Sequence, residues 1–242
     1  MADYILEICA GTLNSALIAQ ANGADRVELC DNLAEGGTTP SAGMISQCKK
    51  LLHIPFFPII RPRGGDFVYS QAEFEVMKED VIFCRKLNCD GVVIGMLRED
   101  RNVDVERCSE LISLAGSMQI TFHRAFDRCK SMEKSLEDIV GLGCHRILTS
   151  GGKVHASDAT GKLKSLVEQA GSRISIMPGS GITYHNLNEI LLETGASEFH
   201  TTAKKRSVAI PDSIYPNGMD PSLYFETDAE NVRLLKEVLQ GS

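Results

Sequence analysis

Nowhere along the 242 residues does an apolar run approach the ~18 needed to span a membrane, so no transmembrane helix is expected. Basic residues are in the minority: 25 Lys and Arg against 32 Asp and Glu leave a formal net charge of −7. Nucleic acid and anionic membranes both require a basic surface, so neither is an expected partner, and any anionic ligand must meet a local positive pocket. Cys-x-x-Cys is absent, as is any Cys/His cluster at zinc spacing. That argues against a local structural zinc site, while residues distant in sequence remain free to converge on a metal. The stretch from Met1 to Ala10 lacks a basic start followed by an apolar run, so a cytoplasmic location is expected, and a nuclear pool is compatible with it. The eight cysteines are then expected to be mostly reduced thiols, in a chain too large to need covalent staples. No linker-like run divides the sequence, and 43% hydrophobic content is enough for one large core, so residues 1–242 are read as a single domain.

What is present is a repeat. Eight short β-type runs recur, at Tyr4–Cys9, Arg26–Cys30, Pro55–Arg61, Asp90–Gly95, Met118–Arg124, His145–Thr149, Arg173–Pro178 and Glu198–Thr201. Helix-type stretches follow them; in Gln71–Leu87, for example, Phe74, Met77, Val81 and Leu87 recur near the 3.6 period of an amphipathic helix. Thr12, Ser41 and Ser70 mark helix starts, and Asn22-Gly23, Leu142-Gly143 and Thr194-Gly195 look like equivalent helix-to-strand turns. Alternating β and α elements favour a parallel sheet, and eight units in about 250 residues match the size of a (β/α)8 TIM barrel with outer helices. One segment breaks the pattern. Residues 204–226 carry Pro211, Pro216, Gly218 and Pro221, and are expected to form an irregular excursion before a last helix from Asp228 to Leu239.

Alternate residues of a strand share a face, so Glu7 goes with Cys9, Glu28 with Cys30, Ile59 with Arg61 and Thr121 with His123. If these faces look inward, carboxylates, thiols, an arginine and a histidine meet near the rim where barrels of this class build their sites. Glu7, Glu28, Arg61 and His123 are the catalytic candidates. A purely structural alternative is a buried ion-pair layer of Glu7 or Glu28 against Arg61. His123 suits general acid–base work, or is a core histidine satisfied by Asp127 or Glu28. The glycine-rich turns Thr149-Ser150-Gly151-Gly152 and Pro178-Gly179-Ser180-Gly181 suit a phosphate, or simply make tight turns. Arg63, Arg124, Asp127, Ser150, Gly151, Gly179, Gly181 and His200 complete the ligand-binding candidates.

The segments Glu28-Leu29-Cys30, Glu35-Gly36-Gly37-Thr38-Thr39-Pro40-Ser41, Ile60-Arg61-Pro62-Arg63-Gly64-Gly65-Asp66-Phe67, Thr121-Phe122-His123-Arg124-Ala125-Phe126-Asp127, Arg146-Ile147-Leu148-Thr149-Ser150-Gly151 and Pro178-Gly179-Ser180-Gly181-Ile182 together resemble the CutC family of copper homeostasis proteins. The likeness extends to about His200. It implies a cytoplasmic (β/α)8 barrel, a homo-oligomer such as a dimer or tetramer, and a role in copper tolerance or trafficking. By the same resemblance, Cys9 and Cys30 correspond to proposed Cu(I) ligands at the ends of the first two strands. Soft thiolates suit Cu(I), while the competing reading makes both cysteines small buried hydrophobes. A rim that also holds glutamates, arginines and a histidine supports a second hypothesis: a lyase, isomerase or hydrolase acting on an anionic small molecule, phosphorylated or not.

Overall fold

A computed structural model describes residues 4–208 and 223–241. Eight strands lie at the eight expected runs: β1 (Ile5–Ala10), β2 (Arg26–Leu29), β3 (Phe56–Pro58), β4 (Gly91–Ile94), β5 (Gln119–Phe122), β6 (Arg146–Thr149), β7 (Ser175–Pro178) and β8 (Glu198–Thr201). Between them run α1 (Leu13–Ala21), α2 (Ala42–Leu51), α3 (Gln71–Lys86), α4 (Val105–Ala115), α5 (Met132–Gly141), α6 (Thr160–Ala170) and α7 (Leu187–Thr194). The helix starts follow from local chemistry. The side chains of Thr12, Ser41 and Ser70 accept from the backbone N–H groups of Ser15, Met44 and Glu73, and Glu73 returns the bond to Ser70 in a capping box. Helix α3 buries Phe74, Met77, Val81 and Cys84, a 3.6-period stripe. Each of its larger apolar side chains contributes roughly 1.5–3 kcal/mol by leaving water.

The strands pair in parallel as two four-stranded sheets, ordered β3-β2-β1-β8 and β4-β5-β6-β7. The continuous eight-stranded ladder expected of the barrel is interrupted at two seams, where single bridges, Ile59 to Val93 and Gly179 to His200, join the sheets. Both seams have the same cause. Along β3 the N–H groups alternate in direction, Ile59 donating to Leu29 of β2 and Ile60 crossing to Val93 of β4. Pro58 falls on the crossing side and has no N–H to give. Along β7, Ser175 and Gly179 donate toward β6, at the carbonyls of His145 and Thr149, which leaves Pro178 on the side of β8.

One face of the strands packs against the helices through residues such as Leu6, Ile8, Val27, Leu29, Ile94, Phe122, Ile147 and Phe199, all buried. The other face carries the polar groups and a small separate cluster of Cys9, Cys30, Phe57, Ile59 and Val93. The segment expected to be irregular is regular at both ends: β9 (Lys204–Val208) pairs antiparallel with β10 (Leu223–Thr227). Pro211, Pro216, Gly218 and Pro221 lie outside the described residues. The last helix, α8 (Ala229–Gln240), is capped by Asp228 and buries Val232, Leu235 and Leu239, while Lys236 reaches Asp25 at 2.7 Å. Among the described residues no helix is long and apolar enough to cross a membrane.

Candidate metal centre

The register of β1 on β2 builds the centre. Glu7 lies opposite Arg26 and Cys9 opposite Glu28, with Cys30 two positions further along the same face of β2. The two thiols are therefore diagonal neighbours, with their sulfurs 3.5 Å apart. One ligand atom from each of Cys9, Glu28 and Cys30 falls within 4.8 Å of the others. On the other side, β8 sets His200 opposite Glu7. Its Nδ1–H donates to Glu7 Oε1 at 2.7 Å, and its Nε2 lies 3.5 Å from Glu28 Oε2.

Beneath this group lies a buried ion-pair layer, but not the one expected. Arg26, rather than Arg61, is the partner of Glu7; it bonds Glu7 directly and donates to Glu198 at 2.5 Å. Arg146 donates to the same Glu198 oxygen at 3.1 Å, and to Thr121 and Gln119 at 3.2 and 2.5 Å. Both guanidinium groups lie against the Phe57 ring, 5.3 and 5.1 Å from its centroid. Arg26, Arg146 and Glu198 were not among the sequence candidates. Strand parity carries the missing signal, since Arg26 shares the face of Glu28 and Glu198 that of His200.

Packing fixes the protonation pattern. Burial would push Glu7 up, but the Arg26 charge and the His200 bond outweigh it and bring the carboxyl down to about 2. At Cys9 the hydrogen bond from Cys30 leads. It overcomes burial with help from His200, and lowers the thiol to about 5. Cys30 is pushed well up by that same bond and by burial, so the pair holds one proton and one negative charge, which sits on Cys9. Burial, followed by the Cys9 charge, raises Glu28 well above the usual carboxylate range. His200 goes up against its own burial because Cys9, Glu7 and Glu28 all favour its cation.

Cys9, Glu28 and His200 form one wall of a cavity of about 630 Å³, with Arg61 and His123 also on its lining. Arg61 is buried and donates to three backbone carbonyls, those of Glu35, Gly37 and Gly65, at 2.8, 2.7 and 2.9 Å. His123 bonds neither of its expected partners, Asp127 and Glu28. Its Nδ1 accepts from the Ala125 N–H at 3.1 Å. Burial, then the Arg61 charge, lowers its pKa to about 3 and keeps the ring neutral.

The loop after β6 holds its own anion. Asp127 accepts from the Ser150 and Gly152 N–H groups at 3.1 and 3.2 Å, from the Thr149 hydroxyl at 2.5 Å and from the Ser150 hydroxyl at 3.0 Å. Arg124 bonds Asp127 at 2.7 Å and Ser150 at 2.9 Å, while the Gly151 N–H donates to Thr149. The expected phosphate cradle is thereby filled from within. Arg63 is engaged by Glu73 and Asp66 at 2.6 and 3.0 Å and does not line the cavity. After β7, a Cβ on Gly179 would lie 2.5 Å from Leu148, and one on Gly181 2.4 Å from His155, so close packing requires these glycines. Of the ligand-binding candidates, Arg124, Gly181 and His200 reach the cavity.

The CutC family model matches residues 4–205. The chain belongs to the CutC family. It is 46% identical to a CutC family protein of Chromobacterium violaceum over 243 residues, covering 98% of each chain. It is also 46% identical to a human protein named copper homeostasis protein cutC homolog, over 83% of this chain and 74% of that one. The crystal structure titled putative copper homeostasis protein CutC, from Streptococcus agalactiae, superposes with a TM-score of 0.79 at 38% identity, covering 82% of this chain and 98% of that one. Thiamine phosphate pyrophosphorylase from Pyrococcus furiosus superposes with a TM-score of 0.61 at 15% identity, covering 99% and 97%. That likeness concerns the fold alone, and relates this CutC family member to TIM-barrel-like proteins.

Proposed function

We propose that this chain is a copper homeostasis protein that takes up Cu(I) between Cys9 and Cys30. The observation that carries the reading is the buried thiol pair, with sulfurs 3.5 Å apart and the negative charge on Cys9. Two bonds of roughly 2.3 Å, the length typical of zinc–thiolate, span such a gap. Soft sulfur donors favour Cu(I) over the harder divalent ions. Glu28, the third group in reach, has its carboxyl pushed well up by burial and the Cys9 charge, which disfavours the anion a hard ligand would need and favours the two sulfurs as donors for a soft monovalent ion. His200 and Glu7 support the pair from behind, fixing where its charge sits. The names of the human and streptococcal relatives agree with this reading. The two sheets, bridged at both seams, are read as one closed eight-stranded barrel whose interior holds the centre.

The test is a titration of reduced protein with Cu(I) against a competing chelator of known affinity, comparing wild type with the Cys9→Ser, Cys30→Ser double variant. Stoichiometric tight binding that the double variant loses is expected. Weak binding, or binding that survives the substitutions, removes the thiol pair as the copper site.

A further inference from the structure

The cavity beside the thiol pair is far larger than a metal ion needs. Its volume, about 630 Å³, lies within the range of roughly 300–1,000 Å³ typical of small-molecule sites. The charge of its wall runs against that of the chain. The chain as a whole carries −7, yet among the described residues the acidic groups on the lining are Glu28 and the Cys9 thiol, against Arg61, Lys204, Arg124 paired to Asp127, and four of the six histidines, His123 among them as a neutral ring.

Two of these groups carry donors that the protein leaves unanswered. His123 is 4% exposed, and among the described residues nothing bonds its Nε2. Because Nδ1 accepts from the Ala125 N–H, the proton of the neutral ring is on Nε2, which makes that atom a donor. The ring is held in place on several sides. Phe67 packs 5.0 Å from its centroid, and a Cβ on Gly95 would fall 2.4 Å from its atoms, so only glycine at the end of β4 makes room for it. Arg61 is 3% exposed, and its guanidinium lies 5.0 Å from the centroid of the same Phe67 ring. Its bonds go to carbonyl oxygens, and no carboxylate lies within ion-pair distance of it among the described residues. A buried cation without an anion and a buried donor without an acceptor each cost free energy that a ligand can recover.

We infer that this cavity binds a small organic carboxylate, whose oxygens are held by Arg61 and His123. A carboxylate fits better than a phosphate because the backbone cradle after β6 is closed by Asp127, and the Thr183 N–H after β7 is bonded to Asn186 at 2.8 Å. The site goes beyond copper uptake and does not depend on it.

The test uses protein labelled with ¹⁵N at histidine, titrated with pyruvate, succinate and benzoate, and with succinamide, benzamide and inorganic phosphate as controls. At least one carboxylate is expected to bind saturably, with a Kd of about 1 mM or tighter, and to shift the His123 ring resonances. Its amide counterpart and phosphate are expected to bind roughly tenfold more weakly or worse. His123→Phe keeps the ring volume and removes the donor; it is expected to fold and to weaken binding about tenfold, as is Arg61→Gln if its loops hold. The Cys9→Ser, Cys30→Ser variant, which removes the Cys9 negative charge from the cavity wall, is expected to bind the carboxylate no more weakly than wild type while losing copper, which separates this site from the copper reading. Equal binding of carboxylate and amide, preference for phosphate, absence of saturable binding by all three carboxylates, or undiminished binding by His123→Phe each overturns the inference.

Discussion

Loading the thiol pair with Cu(I) at pH 7 is expected to release about one proton, because the packed centre has already removed the other. Cys9, lowered to about 5, enters the reaction as thiolate, whereas Cys30 is pushed up and keeps its proton until the metal displaces it. Two ordinary thiols with pKa near ~8.5 would each be about 97% protonated at pH 7, and together would release about 1.9 protons. The neighbours should add nothing. The pair carries one negative charge before loading, as thiolate plus thiol, and one afterwards, as two thiolates around a monovalent cation. Glu7, Glu28 and His200 therefore face an unchanged field. Calorimetric titration in two buffers of different ionisation enthalpy measures the count directly. A second readout is the slope of affinity against pH. Affinity should rise about tenfold per unit between about pH 6 and 8, and steepen toward about a hundredfold per unit below about pH 5. A release near two protons, or the steeper slope at neutral pH, would refute the assignment of the thiolate to Cys9.

Arg26→Met leaves Glu7 fully buried without its main counter-charge, and is expected to cost about 3–5 kcal/mol in urea denaturation; a loss under about 1 kcal/mol would contradict the ion-pair layer. For His123 the folded pKa of about 3 lies below the unfolded value near 6.5, so the unfolded chain binds more protons between them. Its contribution is complete above the unfolded value and is lost as pH falls toward 3, so His123→Phe should lose about 3 kcal/mol less stability than wild type between about pH 7 and 4. Parallel stability curves for the two proteins would show that the ring is not held neutral. Asp127→Asn removes the charge that gathers the loop after β6, with an expected cost of about 1–3 kcal/mol and faster amide exchange at Ser150 and Gly152. Unchanged exchange there would mean that the loop closes without it.

Much of the fold was legible because the chain alternates two periodicities. The period-2 runs and the 3.6-period stripe of Gln71–Lys86 separate strand from helix, and the caps at Thr12, Ser41 and Ser70 mark where helices begin. Strand parity also put Glu7 with Cys9 and Glu28 with Cys30 on common faces. It did not supply partners. Arg26 lies in β2 and Arg61 three residues past the end of β3, and only the register of β1 against β2 and β8 makes Arg26 the neighbour of Glu7. The same holds for Asp127, which lies close in sequence to His123 yet turns to the loop after β6.

The sequence by itself determined the alternation of elements, the face on which each strand carries its polar groups, and membership of the CutC family. These are local properties, set by side-chain period and by motifs. Tertiary structure decided which charges meet, how one proton is divided between Cys9 and Cys30, that Pro58 and Pro178 interrupt the ladders, and that Asp127 fills the glycine-rich turn. Those outcomes depend on distances between residues far apart in the chain and on burial in a medium where charge is costly. No reading of neighbours along the backbone contains either.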